Sequence, residues 1–184
     1  MYREIYLTLK QHLSTDVVSL KLIEWDLSQY DQVQEDAVVT TPSAYIRFDD
    51  IEWGTLNRYV QRGVMNFSVS LVNQTAFGDG QDMTDQSYIN HLATENEIYR
   101  SLQGRRFSLQ DVPGINLSEE DDNPVLIETI ERTGYEPHSE LDNLIVTRQS
   151  FRATVFDYSA HPEYQEVTAD LQFDVKLKKD INHE

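Results

Sequence analysis

The chain of 184 residues contains 32 Asp and Glu against 15 Lys and Arg, a formal net charge of −17, and no cysteine. The lack of cysteine excludes disulfides, thiolate metal sites and a cysteine nucleophile. A surface this acidic repels nucleic-acid phosphates and anionic membranes unless its basic groups are locally concentrated. The length predicts a single α+β domain over residues 1–160, with residues 161–184 as a C-terminal extension that adds a strand.

The amino-terminal third predicts one helix and two strands. Apolar side chains at spacings of three and four predict an amphipathic helix over residues 1–14. This stripe consists of Tyr2, Ile5, Tyr6, Leu9 and Leu13. A short strand around residues 20–25 and a polar, acidic loop over residues 26–36 follow. Pro42 then opens a strand in which Ala44, Ile46 and Phe48 face one way, and Tyr45, Arg47 and Asp49 the other.

Two long stretches, residues 57–72 and 143–158, show the clearest pattern in the chain. Apolar side chains occupy odd positions of the first stretch, at Tyr59, Met65, Phe67, Val69 and Leu71. The second stretch has Phe151, Ala153 and Val155 at odd positions and polar residues between them. This period of two is typical of a strand with one buried face and one wet face. We therefore predict that the two stretches are the neighbouring central strands of a mainly antiparallel sheet.

A helix is predicted between the two long strands, from about residue 85 to residue 103. Its apolar stripe runs through Tyr88, Leu92, Ile98, Tyr99 and Leu102. We expect this stripe to lie on the sheet, so that the domain has two flanking helices. Gly104 supplies the C-terminal stop.

The remaining segments are predicted as acidic loops around two more strands. Residues 107–124 form an irregular acidic insertion with turn signals at Pro113-Gly114 and Asn123-Pro124. A strand over residues 125–133 and an acidic turn through Pro137 lead to the second long strand. In the extension, residues 168–177 alternate again between apolar and polar side chains.

Catalytic and ligand motifs are missing from the sequence. The five histidines show no metal-binding spacing, and no nucleophile elbow, phosphate loop or dinucleotide fingerprint occurs. Two acidic clusters, Asp79 with Asp82 and Asp85, and Asp49-Asp50 with Glu52, are better explained as a turn with a helix cap and as solvated strand-end acids. A catalytic triad assembled from residues distant in the sequence stays an open alternative, because geometry and not sequence order defines a triad. We predict no enzyme activity, no cofactor and no catalytic, cofactor-binding or metal-binding residue.

Four arginines give the most specific hypothesis about a contact surface. Arg58 with Arg62, and Arg148 with Arg152, are each spaced by four on the polar side of a long strand. If the strands are neighbours, four guanidinium groups share one face. One interpretation pairs them with acids of the same chain such as Asp49. The other makes them a subunit interface that docks on acidic loops of another copy. The candidate interface residues are Arg58, Arg62, Arg148, Arg152, Asp49 and Asp50.

The order of elements resembles the tail terminator and tail completion proteins of long-tailed bacteriophages. The resemblance covers roughly residues 1–105 and 125–160. It depends on the order of the elements and on the alternation of apolar and polar residues in the strands. The segments that carry it are YREIYLTLKQHL, TPSAYIRFDDIEW, RGVMNFSVSLV, YINHLATENEIYRSLQG and NLIVTRQSFRATVF. The acidic insertion at residues 107–124 and the extension at residues 162–184 depart from that pattern.

The resemblance implies a structural assembly protein without catalytic activity. It implies a subunit of a homo-oligomeric ring, with a hexamer as one candidate size, that caps the tail tube and joins it to the head. The implied partners are other copies of the chain, the tail tube and the head-connector proteins, in the tail or neck of a virion assembled in the host cytoplasm. No membrane and no sequence-specific nucleic acid are expected, although DNA passes through the lumen of such a ring.

The charge leaves one alternative of another class. A small acidic binding protein could mimic DNA or inhibit a basic partner such as a nucleic-acid enzyme. A mimic spreads its acids regularly over strand and helix surfaces, whereas these acids cluster in connectors. Residues 16–52 have nine acids against two basic residues, whereas residues 53–75 contain no Asp or Glu. The distribution therefore favours the assembly protein.

Overall fold

A computed structural model describes residues 1–28, 40–74, 85–115, 123–141 and 144–160. Its elements are α1 (Tyr2–Asp16), β1 (Leu22–Trp25), β2 (Ser43–Thr55), β3 (Gln61–Gln74), α2 (Asp85–Leu102), β4 (Phe107–Ser108), β5 (Val125–Ile127), β6 (Glu131–Leu141) and β7 (Leu144–Asp157), with a short 3₁₀ helix at Leu109–Asp111. Two helices flank one mixed sheet of seven strands. The predicted α+β class with a mainly antiparallel sheet is therefore confirmed.

The sheet has the order β1-β2-β3-β7-β5-β4, and β6 also pairs with β7. Only β1 and β2 are parallel. β5 and β6 lie along the same edge of β7, because Ile127 pairs with Val155 while Glu131 pairs with Arg152. Together they form one interrupted strand on that side of the sheet.

The long strands β3 and β7 are neighbours at the centre of the sheet, as predicted. Their register runs without a shift from the pair of Gln61 with Asp157 to the pair of Gln74 with Leu144. β3 begins later than predicted because the chain first turns. The Asn57 side-chain oxygen accepts hydrogen bonds from the backbone N–H groups of Tyr59 and Val60, at 2.8 and 2.9 Å, and this turn closes the β2–β3 hairpin.

One face of the sheet, called here the helix face, carries the main core. The rings of Phe67 and Phe151 are register partners on this face, and their centroids lie 5.3 Å apart. Both are fully buried. Helical side chains pack on the same face, from α1 at Ile5, Leu9 and Leu13 and from α2 at Ile98 and Leu102. Burial of these large apolar side chains stabilises the layer of helices on sheet, at roughly 1.5–3 kcal/mol each.

A β-bulge divides β2 into two halves. Phe48 pairs with Phe67, but Asp50 pairs with Asn66, so Asp49 is an extra residue. Even residues of β2 face the helices before the bulge, as predicted, and odd residues do so after it. Ile51 and Trp53 therefore pack against the edge of the main core.

The start of the predicted acidic insertion belongs to the core. Phe107, Leu109 and Val112 are buried there, and β4 pairs with β5. The Ser108 hydroxyl and backbone N–H both donate to the Asp111 carboxylate, at 2.7 and 2.6 Å, which closes the short 3₁₀ helix. The prediction of a loop over all of residues 107–124 was therefore wrong for residues 107–112, because three apolar side chains here find partners distant in sequence.

The predicted strand over residues 125–133 and the turn through Pro137 were also wrong. The strand breaks after Ile127, and β6 then continues through Pro137 to Leu141. Two register shifts, between Arg132 and Gly134 and between Glu136 and Ser139, let this edge strand accommodate its extra residues and its proline. Most of the predicted acidic loop at residues 26–36 and all of residues 161–184 lie outside the described residues.

We predict that Gly63→Val destabilises the domain by about 1–3 kcal/mol, as overpacking of a filled site does. A Cβ at Gly63 would lie 2.8 Å from Ile51 Cγ2 and 2.8 Å from Trp53 Cε3. Gly54→Val is the matched control, because its Cβ would meet nothing closer than 3.7 Å. Urea unfolding measures both variants, and equal losses of stability would contradict close packing at Gly63.

Candidate interaction surface

The face of the sheet opposite the helices, called here the arginine face, carries three of the four predicted arginines. Arg62 on β3 and Arg148 and Arg152 on β7 share this face. Arg58 does not, because it lies in the turn before β3, where its guanidinium stacks at 5.3 Å over the ring of Tyr59. The prediction that Arg58 and Arg62 share a strand was therefore wrong, since the turn at Asn57 delays the strand.

Arg148 is held in place by acids of its own chain. Its guanidinium lies 4.0 Å from Asp26 and 3.9 Å from Glu136, and its Nε donates to the Ser70 hydroxyl at 3.3 Å. The Asp26 carboxylate is buried and also accepts a hydrogen bond from the backbone N–H of Ser28 at 2.7 Å. For Arg148, the interpretation as an intramolecular pair is thus the one that the geometry favours.

Arg62 and Arg152 are held much less firmly. Arg62 is exposed and lies 3.9 Å from Glu128, a distance typical of a solvent-screened pair worth between about 0 and 1 kcal/mol. Arg152 is exposed, and no carboxylate in the described ranges lies within 4.0 Å of it. Both guanidinium groups can therefore pair with an acid of another surface at little cost.

A polar pocket of about 280 Å³ opens beside Arg152, where β5 gives way to β6. Its lining residues are Val64, Glu128, Thr129, Glu131, Arg152, Ala153 and Thr154. Charges of both signs meet there, as at the polar rim of a protein contact. The pocket lies on the same face as Arg62 and thus belongs to the same candidate surface.

The two predicted interface acids lie at the bulge of β2. Asp49 is about half exposed and lies 3.6 Å from Arg47, its neighbour on the strand. The Asp50 carboxylate accepts hydrogen bonds from the Asn66 side chain at 3.1 and 3.2 Å. Neither acid contacts the four predicted arginines within the described structure. Pairing of the arginines with Asp49 was thus a wrong expectation.

We predict that Arg148→Ala destabilises the domain by about 1–3 kcal/mol, because it leaves the buried Asp26 carboxylate with one cation fewer. Arg152→Ala, on the same strand and face, should change stability by less than about 0.5 kcal/mol. Urea unfolding at neutral pH compares the two. Equal losses of stability in the two variants would show that contact with the buried Asp26 does not make Arg148 more important for folding than Arg152.

A buried polar cluster lies between α2 and the helix face. His91 Nε2 lies 2.9 Å from the Thr147 hydroxyl and 3.5 Å from Glu95 Oε1, and Asn73 Nδ2 lies 2.8 Å from His91 Nδ1. The Tyr135 hydroxyl donates to the Glu95 carboxylate at 3.3 Å. The cluster ties one turn of α2 to three strands of the sheet.

This cluster reverses the predicted orientation of the first half of α2. The side chains that face the sheet are His91, Thr94, Glu95, Ile98, Ser101 and Leu102. Tyr88 and Leu92 from the predicted stripe are instead exposed. A signal was present in the sequence, since Thr147 and Gln149 put polar groups on the otherwise apolar odd side of β7. Polar residues of α2 must face those groups, because buried polar groups need partners.

A hydroxyl, an imidazole and an amide in this order resemble the geometry of a nucleophile, its base and an orienting group. His91 is fully buried, however, and the Thr147 side chain is almost as inaccessible. A substrate carbonyl has no access to the hydroxyl. The arrangement therefore satisfies buried polar groups, and Asn73 as donor places the His91 ring proton on Nε2.

This network shifts the pKa values of two of its side chains, Glu95 and Tyr135. Burial raises the pKa of the Glu95 carboxyl, but hydrogen bonds from His91, Thr147 and Tyr135 outweigh burial, so the pKa lies below its usual value. Burial and the neighbouring Glu95 carboxylate raise the pKa of the Tyr135 hydroxyl. Glu95 thus stabilises the fold as a carboxylate.

We predict that Glu95→Gln destabilises the domain by about 1–3 kcal/mol at pH 7, since charge-assisted hydrogen bonds are lost. The folded-state pKa of Glu95 is lowered, so its contribution is complete above the usual glutamate pKa of about 4.3 and is lost as the pH falls through the lowered value. The difference in free energy of unfolding between Glu95→Gln and the unsubstituted chain should therefore shrink in acid. Urea unfolding of both chains from pH 7 to pH 3 measures this difference.

Glu97→Gln is the control for this experiment, because Glu97 lies on the exposed side of the same helix, where its carboxylate accepts a hydrogen bond from the exposed Ser19 hydroxyl at 2.9 Å. A loss of stability in Glu95→Gln that is the same at every pH would contradict the conclusion that Glu95 stabilises the fold as a carboxylate.

No protein-family model matches this chain, and no curated protein matches it. Across the described ranges, no three His, Asp or Glu side chains gather closely enough to hold a metal ion. No helix in that part of the chain is long and apolar enough to cross a membrane. Most of the weighed Asp79, Asp82 and Asp85 cluster lies outside the described residues.

Proposed function

We propose that this chain is a structural assembly protein, a subunit of a homo-oligomeric ring that caps a phage tail tube and joins it to the head. The resemblance in element order suggests this class. Support comes from an α+β domain in which an amphipathic helix, a Pro-led strand, two long strands and the helix between them follow in that order. Tail terminator is the leading role, with another neck or connector component as the neighbouring one.

The observation that carries the proposal is the weak tethering of Arg62 and Arg152 on the arginine face. Their chain has a net charge of −17, and residues 107–142 alone contain ten acids against one arginine. Exposed arginines on such a chain are complementary to acidic segments of another copy. Contacts between unlike patches are heterologous, and they close into a ring when the rotation between subunits permits.

The charge also suits passage of DNA through a ring. Acidic side chains around a lumen repel phosphates, so DNA slides without binding. A DNA mimic is less well supported, because Asp26, Glu128 and Glu136 lie within 4.0 Å of arginines of their own chain and are partly neutralised. A mimic needs its carboxylates free to replace phosphates.

We predict that the purified chain forms ring-sized particles, and that the double substitution Arg62→Glu with Arg152→Glu reduces them to monomers. Charge reversal puts carboxylates where the proposed contact needs cations, and like-charge contacts cost several kcal/mol. Light scattering gives the particle mass in low and high salt, and negative-stain images show whether the particles are closed rings.

The matched control is Arg100→Glu with Arg106→Glu, which changes the net charge equally on exposed residues away from the arginine face. Particles that survive the first double substitution, or dissociate equally with both, would contradict a contact through the arginine face. A chain that stays monomeric in every salt and binds a basic nuclease would instead support the acidic binding protein.

A further inference from the structure

The turn between β2 and β3, residues 56–60 and called here the hairpin tip, carries large side chains on its surface. Leu56 is 56% exposed and Tyr59 is 38% exposed. Neither belongs to the main core or to the side chains packed against it. Turns consist mostly of small and polar residues, so a Leu and a Tyr in one short turn with Arg58 are unusual. This is the composition of a contact surface, since Tyr and Arg are enriched where proteins bind each other.

Hydrogen bonds hold the hairpin tip in one conformation. The Val60 carbonyl accepts from the backbone N–H groups of Leu56 and Asn57, both at 3.1 Å. The Asn57 side chain accepts from the N–H groups of Tyr59 and Val60, as described above. The Val60 side chain is buried and anchors the turn to the domain. Because the turn is already ordered, a partner that binds it loses little free energy to the ordering of a loop.

Charge makes the hairpin tip different from the rest of this acidic chain. No Asp or Glu occurs over residues 53–75, whereas Arg58 lies in the turn and Arg62 just after it. Both arginines are exposed. On the paired strands, the first acids below the turn are Glu52 on β2 and Asp157 on β7. Two copies with a net charge of −17 repel each other, and this repulsion is weakest where one copy approaches with such a turn.

We infer that the hairpin tip docks on an acidic surface of a second copy and that Leu56 and Tyr59 anchor this contact between subunits. The inference rests on the proposed ring and deepens it, because Arg62 joins the hairpin tip to the arginine face. Arg62 pairs with Gly54 on one side and with Phe156 on the other, directly below the turn. Charge orients the two copies, while burial of the apolar side chains stabilises the contact.

Photo-cross-linking tests this contact directly. Leu56 is replaced in the full-length chain by the photoreactive residue p-benzoylphenylalanine, which irradiation joins to a side chain that lies against it. Val18 is the matched control position, because it is 86% exposed in the segment after α1. Gels separate joined from single chains, and peptide mass spectrometry locates the second attachment site.

The expected result is a cross-linked dimer from position 56, at several times the yield from position 18, because cross-linking requires contact. The second attachment site should lie in a peptide that contains Asp or Glu. High salt should lower the yield, since salt screens the charges that align the two copies. No dimer from position 56, equal yields from both positions, or attachment within one chain alone would overturn the inference.

A double substitution provides a second test. Leu56→Ala with Tyr59→Ala should raise the dissociation constant of the subunits by about tenfold or more, since a few anchor side chains carry most of the binding energy. Val18→Ala with Ile89→Ala, which truncates two exposed side chains elsewhere, should raise it by less than about threefold. Sedimentation measures both constants. Unchanged hydrogen exchange at the Val60 amide shows that the turn is still closed.

The outcomes separate this inference from the proposed ring. Rings that dissociate with Arg62→Glu and Arg152→Glu but persist with Leu56→Ala and Tyr59→Ala would overturn the inference alone. Cross-linked dimers from position 56 without ring-sized particles would support the contact and overturn the ring. A chain that is monomeric before any substitution would overturn both. Binding of an oligothymidine strand that Leu56→Ala with Tyr59→Ala abolishes would also overturn the inference, because the hairpin tip would then contact nucleic acid.

Discussion

The pairing of β3 with β7 is the constraint on which the rest of this structure depends. The strands pair without a register shift from Gln61 to Gln74, and the stacked rings of Phe67 and Phe151 lie at the middle of the pair. Because strand side chains alternate, a slip of one residue would send the core residues to the other face. The same register therefore places the helices on one side and Arg62, Arg148 and Arg152 on the other.

The helix face changes character along its length. Apolar packing around Phe67 gives way near the start of α2 to a polar network of His91, Glu95, Thr147 and Gln149. Hydrogen bonds of this kind specify one orientation, because any rotation of α2 would leave buried polar groups without partners. The network thus orients the helix, while apolar burial supplies most of the stabilisation.

The arginine face combines one fixed cation with two loosely held ones. Arg148 belongs to the fold through the buried Asp26, whereas Arg62 and Arg152 remain available for another surface. The sequence placed the second pair of arginines correctly on one strand face, but it could not separate their roles. That difference depends on Asp26, which is more than a hundred positions away and meets β7 only across the folded sheet.

The sequence by itself determined the elements whose pattern is local. Period-two alternation identified the two long strands, spacings of three and four identified α1, and Gly104 marked the end of α2, because each signal lies within a few neighbouring residues. Tertiary structure alone decided the break between β5 and β6 and the core position of Phe107. Those features depend on partners distant in the chain, and burial against such partners overrides local preference.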